Sequence, residues 1–206
     1  MDITESKIVG SLVEVVTNMV NRHDPAAAGH QEEVALLAKC IAETMGQDRE
    51  LVNCVFMAAQ MHDVGKIAIP AEVLSYPGKL TNLQQMMVRC HPQVSYEILG
   101  PISFPWRLAD VVYQHHERLD GSGYPRGLAG NQILMEARIL AVADVVQAMI
   151  TNRTYHAPFG VDNIIEELES HKGVLYDADV VNTYKKLVTD KGYMGSLPKR
   201  VASSNN

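Results

Sequence analysis

Residues 51–70 read LVNCVFMAAQMHDVGKIAIP, and the spacing of their apolar side chains predicts an amphipathic helix. Leu51 and Val55 begin a stripe in which apolar residues recur every three or four positions, so they share one helix face. His62 continues that stripe, and Gly65 is typical of the position just beyond a helix C-terminus. We therefore expect a buried helix face that ends in an imidazole, with the helix stopping at the glycine.

The same helical periodicity continues through most of the chain, which favours an all-α fold built as a helical bundle. No pair of segments alternates as two strands of a hairpin would, and residues 66–70 are extended but short. A second stripe carries His30 together with Val34, Leu37 and Ile41. Further helices are predicted at residues 83–90, 92–99, 107–116, 134–150, 161–171 and 179–188.

An N-terminal helix precedes these elements, with an apolar stripe at Ile8, Leu12, Val15 and Met19. This stripe would either pack on the protein's own core or connect to a partner domain or a second copy in a homodimer. The expected organisation is an N-terminal helix at 1–22, a main domain at 23–190 and a polar tail at 191–206.

Composition narrows the class of protein further. A chain of 206 residues can bury a substantial core, and its net charge of −6 argues against a nucleic acid polymer as its partner. Cys40, Cys54 and Cys90 lie singly in apolar segments without a CxxC pair, which indicates a reducing cytoplasm. The N-terminus lacks the pattern of a signal peptide, and no apolar run approaches the ~20 residues of a membrane span.

Polar residues at core positions are the strongest functional signal in the sequence. A single inward histidine is usually a hydrogen-bonded core residue, but His30 and His62 both lie on apolar stripes, and Asp63 follows the second. Asp144 lies in the apolar run at 137–149, ARILAVADVVQAM, where a buried carboxylate requires a cation. Three further histidines follow the same logic: His91, His115 and His116.

Five histidines and two aspartates supply enough ligands for two metal ions. Imidazole and carboxylate without thiolate favour iron, manganese or zinc over a cysteine-type structural zinc site. Asp63 is the natural bridge, because a carboxylate has two oxygens and its neighbour His62 faces the same site. Adjacent helical residues point about 100° apart, so His115 and His116 would bind one ion from the rim of the bundle.

Several ordered strings carry a resemblance to a known family. The chain from about residue 24 to 187 strongly resembles the HD-GYP family, a branch of the HD metal-dependent phosphohydrolases. The resemblance implies an HD-domain helical bundle with a GYP loop (residues 117–125) and a cyclic di-GMP phosphodiesterase. The strings are MHDVGKIAIP (61–70), HHERLDGSGYP (115–125), AGHQEEVA (28–35), IPAEVLSYPGKLT (69–81), RCHPQVSYEIL (89–99), ARILAVADV (137–145) and NRTYH (152–156).

The resemblance also implies the ligand set and the cofactors. Asp63 would bridge two divalent ions, expected to be iron, with manganese or another transition metal as the alternative. Ala26 stands where some members carry a glutamate for a third ion, so we expect two. His30, His62 and Asp144 would complete one ion, and His91, His115 and His116 the other.

In such a site a hydroxide held between two metals would attack the phosphate of cyclic di-GMP, giving pGpG, GMP or both. Asp63 and Lys66 are the predicted catalytic residues, and Lys66, Arg153 and Tyr124 the predicted substrate contacts. Gly121 and Gly123 permit backbone angles that suit a loop at the rim of a pocket. Departures from the family pattern at 147 and 152–156 leave every metal ligand in place but bear on which cyclic dinucleotide is bound.

The sequence is also compatible with two alternatives. One is a cyclic-dinucleotide receptor or protein-interaction module without useful turnover, and the other is a different HD-type activity, such as a nucleotide phosphohydrolase or a di-iron oxygenase. The GYP loop argues against the latter. The resemblance further implies a sensory, receiver or diguanylate cyclase-type partner protein, so the chain is either a standalone enzyme or a fragment of a longer sensor protein.

Overall fold

The computed structural model describes residues 3–151 and 160–191, and the all-α prediction is confirmed for them: they form helices and no strand. Three short 3₁₀ helices, at Pro25–Ala27, Val64–Ala68 and Gly130–Gln132, connect the longer elements. The α-helices are α1 (Ile3–His23), α2 (His30–Thr44), α3 (Arg49–Met61), α4 (Ala71–Leu74), α5 (Asn82–Arg89), α6 (His91–Leu99), α7 (Leu108–Gln114), α8 (Met135–Ile150), α9 (Val161–Ser170) and α10 (Ala178–Lys191).

The core lies where α2 packs against α3 and α8, with α7 against α3 and α6. Val34, Leu37 and Ile41 on the predicted stripe of α2 are completely buried. Their burial fixes the rotation of α2, so that the first residue of the helix, His30, also faces inward. The apolar pattern therefore orients the histidines as well as the core.

Two predictions for the end of α3 are wrong. The helix stops at Met61 with His62 as its C-cap, and Gly65 lies inside the following 3₁₀ helix rather than ending α3. That 3₁₀ helix, Val64–Ala68, also replaces most of the extended segment expected at residues 66–70. The chain turns here because α6 packs closely against this segment.

Gly65 is required for space, not for a positive φ. A Cβ atom built at Gly65 would lie 2.2 Å from the carbonyl oxygen of His91 and 2.6 Å from the backbone nitrogen of Ser95. The Gly65 N–H donates a hydrogen bond to Ser95 Oγ at 2.8 Å, and that hydroxyl donates to the His62 carbonyl at 3.0 Å. This close contact brings the end of α3 against the start of α6.

The N-terminal helix packs on the domain with a face other than the predicted stripe. Val13 and Val20 are buried, and Val16 packs beside them, because α1 lies against α3 and the 3₁₀ helix that follows it. Val15 and Met19 are 55% and 53% exposed. Of the two alternatives for the predicted stripe, its described half therefore does not pack on the core, which contacts the neighbouring face of α1 instead.

The other half of the predicted stripe, the side chains of Ile8 and Leu12, lies outside the described residues, so the predicted homodimer contact stays a prediction. The tail at 192–206 likewise lies outside them. Within the described part of the chain, no helix has both the length and the apolar composition needed to cross a membrane.

We predict that Gly65→Ala destabilises the protein by about 1–3 kcal/mol, because the added methyl group meets backbone atoms that cannot move independently. Gly10→Ala is the matched control: Gly10 lies in α1, a methyl group added there meets nothing within 4 Å, and alanine favours helix by about 1 kcal/mol. Urea unfolding of metal-stripped protein measures both. Equal stability of the two variants would contradict the packing at Gly65.

We also predict a fixed order of cysteine alkylation. Burial, assisted by Glu136, raises the pKa of the Cys54 thiol to about 12, whereas Cys90 is exposed. Because the thiolate is the reactive form, iodoacetamide at pH 8 should modify Cys90 well before Cys54 in the folded protein. Peptide mass spectrometry over time checks the order, and urea should remove the difference.

Candidate metal centre

The seven predicted ligands come together at the ends of four helices and the middle of a fifth. His30 begins α2, His91 begins α6, and Asp144 lies in the middle of α8. His62 and His115 are the C-caps of α3 and α7, followed directly by the remaining two ligands, Asp63 and His116. Six of the seven are buried, and His116 is partly buried at the rim.

Two ligand groups that share no residue form within this cluster, and a third group, His62, Asp63 and His115, overlaps both of them. In the first, made of His30, His62 and Asp144, the ligand atoms lie within 4.8 Å of one another. His30 Nε2 is 3.0 Å and His62 Nε2 is 3.7 Å from the same oxygen of Asp144. The second group, with the same spacing, is His91, His115 and His116.

Asp63 lies between the two groups and turns one carboxylate oxygen to each. Its Oδ2 is 3.5 Å from Nε2 of His62, and its Oδ1 is 3.4 Å from Nε2 of His91. A carboxylate in this position can bind one cation on each side. The arrangement fits the bridging role that the sequence predicts for Asp63.

Backbone carbonyls hold three of the rings in a common orientation. Nδ1 of His62, His91 and His115 lies 2.7, 2.7 and 2.5 Å from the carbonyl oxygen three residues earlier. Because a carbonyl only accepts, each Nδ1 must donate, and the neutral ring then presents an unprotonated Nε2. Such outer hydrogen bonds are usual for metal-binding histidines.

The facing ring nitrogens provide a test of whether a metal fits. Nε2 of His91 and Nε2 of His115 are 3.2 Å apart, and each is the acceptor of its own ring. Two lone pairs this close repel one another unless a cation lies near both. Buried imidazole and carboxylate without thiolate suit iron, manganese or zinc, so the residues present fit a divalent transition metal.

The pKa shifts of the histidines differ between the two ligand groups. Burial lowers the pKa of His91 and His115, and it lowers the pKa of His116 to about 3, so these rings are neutral and ready to bind a metal. Burial also acts to lower the pKa of His62, but Asp63 and Asp144 outweigh it and the pKa is raised. The first group therefore attracts positive charge strongly.

The two carboxylates keep their charge in spite of burial. Burial would raise the pKa of Asp63, but the Lys66 ammonium and the nearby His62 and His91 rings hold it well below its usual range. For Asp144, the effect of burial on the pKa is likewise outweighed, chiefly by hydrogen bonds from His30 and His62. The centre is thus anionic at its two carboxylates and neutral at most of its rings.

Lys66 lies at the edge of the centre, between two acidic side chains. Its Nζ is 2.8 Å from Oδ2 of Asp63 and 3.6 Å from Oδ2 of Asp24. Asp24 is buried and was missed by the sequence reasoning, which took it only as part of the end of α1. Its position in the sequence, six residues before the predicted ligand His30, could have indicated that Asp24 lies near the centre.

A second missed residue, Glu117, organises the GYP loop. Its carboxylate is buried and accepts hydrogen bonds from the backbone N–H of Arg126 at 2.8 Å and of Leu128 at 2.9 Å. These bonds tie the first residue of the loop to the backbone just beyond its last. An acidic residue directly after two ligand histidines was visible in the sequence, but its partners are backbone groups that no side-chain pattern predicts.

The GYP loop folds back over the histidine pair. Gly121 has a φ of +82°, as the predicted turn requires, but a Cβ at Gly123 would lie 2.4 Å from the backbone nitrogen of Arg118, so that glycine serves close approach. The Tyr124 N–H donates to the His116 carbonyl at 3.2 Å, and the two rings lie 4.7 Å apart. Tyr124 therefore lies beside the centre, and its predicted contact with the substrate stays a prediction. Arg153, the other predicted contact, lies outside the described residues.

Comparison with known proteins shows the family of the chain. Residues 14–180 match the family model described as HD domain. The chain is 36% identical over 190 residues to the cyclic di-GMP phosphodiesterase response regulator RpfG of Xanthomonas campestris, covering 86% of this chain and 50% of the relative. It is 36% identical over 178 residues to a cyclic di-GMP phosphodiesterase of Thermotoga maritima, covering 85% and 48%.

A solved structure shares the fold. A cyclic GMP-AMP specific phosphodiesterase of Vibrio cholerae superposes with a TM-score of 0.66 at 14% identity, covering 88% of this chain and 50% of that one. The chain spans about half the length of the curated relatives it matches. The chain therefore belongs to the HD-domain family, within the HD-GYP branch that its sequence motifs predict.

Proposed function

We propose that the chain is a metal-dependent phosphodiesterase that hydrolyses cyclic di-GMP, or a related cyclic dinucleotide, to a linear product. The observation that carries this proposal is the Asp63 carboxylate, which turns one oxygen toward each of two ligand groups. The relatives named as cyclic di-GMP phosphodiesterases support the substrate class.

Two divalent ions complete the proposed centre, iron first, with manganese or another transition metal as the alternative. His30, His62 and Asp144 would hold one ion, and His91, His115 and His116 the other, with Asp63 shared between them. When bound, such ions supply a nucleophilic hydroxide at neutral pH and stabilise the charge of a phosphate undergoing in-line displacement. A third ion is not part of the proposal.

Lys66 is the proposed electrostatic partner of the substrate phosphate. Its ammonium already lies 2.8 Å from the bridging carboxylate, so an anion bound beside Asp63 would come within its reach. Asp24 holds the same ammonium from the other side and keeps its position defined. A preformed positive charge at the edge of a largely buried centre stabilises charge that develops during the reaction.

The remaining parts of the proposal concern the cellular setting. A reducing cytoplasm, bacterial second-messenger signalling and pGpG or GMP as products are expectations that the unpaired cysteines and the relatives support. The partners proposed are a sensory, receiver or diguanylate cyclase-type protein and a second copy of the chain. The centre gives no support to a receptor without turnover, because each of the seven predicted ligand positions carries a histidine or an aspartate.

The first prediction from this proposal concerns the bridging carboxylate. Protein purified without oxygen and loaded with iron or manganese should convert cyclic di-GMP to a linear product, followed by chromatography. Asp63→Asn keeps the shape but removes the charge, so it should lower the bound metal and reduce turnover by about 100-fold or more, since even outer-shell changes cost 10–100-fold.

Asp162→Asn, on the exposed first turn of α9, is the matched control and should retain both metal and turnover. Metal content is measured by inductively coupled plasma mass spectrometry. Absence of product from loaded wild-type protein would refute the phosphodiesterase, and retained binding of cyclic di-GMP in that case would favour the receptor.

The second prediction concerns Glu117. In Glu117→Gln, one acceptor oxygen becomes an amide that donates, so one of the two loop N–H groups loses its partner. We expect a loss of about 2 kcal/mol in unfolding free energy and a clear fall in kcat/KM, with metal content unchanged.

Glu43→Gln is the matched control, because Glu43 is exposed and lies 3.9 Å from Lys39 in a weak surface pair. Thermal unfolding and turnover are measured on both variants. If Glu117→Gln lost its metal while keeping its stability, the role assigned to Glu117 in the loop would be wrong.

A further inference from the structure

Arg89 lies over the face of Tyr124, beside the metal centre, without being a ligand itself. It is the last residue of α5, and its guanidinium carbon is 5.1 Å from the centroid of the Tyr124 ring. That ring in turn lies 4.7 Å from the ring of His116. Guanidinium, phenol and imidazole form a column that leads from the exposed surface to the second ligand group.

The guanidinium of Arg89 is available to a ligand. Arg89 is exposed, and among residues 3–151 and 160–191 no carboxylate lies within ion-pair distance of it. Arg118, the neighbouring arginine on the loop side, differs: it donates to the Glu117 carbonyl at 2.9 Å and lies over Tyr176. Contacts within the protein therefore hold the Arg118 guanidinium. Among the described residues, the Arg89 guanidinium contacts only the ring of Tyr124.

The contact with Tyr124 leaves the N–H groups of the Arg89 guanidinium without a hydrogen-bond partner among the described residues. A cation over an aromatic face is attracted by its charge, so the N–H groups of the guanidinium can still donate to a ligand. These groups match two oxygens of a phosphate in a bidentate pair. The guanidinium therefore presents an anion-binding fork under 10 Å from the His116 ring, since its carbon is 5.1 Å from the Tyr124 centroid and that centroid is 4.7 Å from the His116 centroid.

We propose that Arg89, held on Tyr124, binds the phosphate of the cyclic dinucleotide that is not being cut. This inference rests on the proposed function and extends it. A cyclic dinucleotide carries two phosphodiester groups in one ring, so when one lies at the metal centre the other must lie a short distance away. Arg89 is a specificity-determining residue, because only a substrate with a second phosphate gains from it.

The simpler alternative is that Arg89 merely stabilises the end of α5. A cation in the last turn of a helix interacts favourably with the helix dipole, and lysine does so as well as arginine. Lysine lacks the bidentate fork, so Arg89→Lys separates the two roles. Arg89→Gln removes the charge with little change in the side chain's length.

The test compares two substrates. Cyclic di-GMP has two phosphates, whereas bis(p-nitrophenyl) phosphate has one and reports the metal centre alone. For Arg89→Gln we expect KM for cyclic di-GMP to rise about tenfold with kcat nearly unchanged, as the loss of a charge-assisted pair predicts. Hydrolysis of bis(p-nitrophenyl) phosphate should stay at the wild-type rate, and Arg89→Lys should recover only part of the affinity.

A second readout does not depend on turnover. Calorimetry with a phosphorothioate analogue of cyclic di-GMP that resists hydrolysis should show about tenfold weaker binding to Arg89→Gln. Arg49→Gln is the matched control, since Arg49 is exposed at the opposite end of α3 from His62. It should bind like the wild type.

The outcomes separate this inference from the proposed function. If the wild type neither cleaves cyclic di-GMP nor binds the analogue, the proposed function fails. If the wild type does both and Arg89→Gln matches it within twofold, only the role of Arg89 is refuted. An equal loss of activity with both substrates, or full recovery of affinity by Arg89→Lys, would also refute it. Either result would mean that Arg89 only stabilises the end of α5.

Discussion

The contact of Asp63 with both ligand groups is the constraint on which the structure depends. Its carboxylate is buried, keeps its charge, and lies within 3.5 Å of histidines that belong to two different helices. A buried charge is costly unless it is paired, so the ends of α3 and α6 must remain close to it. The Gly65–Ser95 contact provides that closeness, and the apolar stripes of α2 and α3 set the direction from which the remaining ligands approach.

The helix ends, more than the helix bodies, supply the chemistry. Three histidines use a carbonyl three residues earlier in the chain to fix the ring, so backbone groups that a helix end leaves without partners become part of the site. In the GYP loop the roles are exchanged: the Glu117 side chain accepts hydrogen bonds from backbone N–H groups just beyond the loop. Hydrogen bonds to the backbone, rather than the conformations of long flexible side chains, therefore fix most of this arrangement.

The sequence was sufficient for the fold class and for predicting which histidines and aspartates come together, because a histidine on an apolar stripe is carried to the core by its neighbours; that these residues bind metal stays a prediction. His30 and His62 are clear examples, and the structure groups both with Asp144. The docking face of α1 was left open by the sequence, since spacing permits two adjacent faces and only the packing against α3 selects the one with Val13 and Val20. Asp24 and Glu117 were missed because their partners, a lysine 42 residues away and two backbone N–H groups, exist only after folding.

The proposed ligands lie in five separated segments of the chain, so a metal bound to them would link the stability of the fold to the supply of metal. An ion that binds these side chains binds only the folded chain, so it adds RT ln(1 + [L]/Kd) to stability, or about 2.7 kcal/mol at a hundredfold excess over Kd. That amount is a large fraction of the roughly 5–15 kcal/mol that holds a typical domain folded. A chelator would thus act on this protein as a mild denaturant, and the abundance of folded protein would follow the free metal concentration.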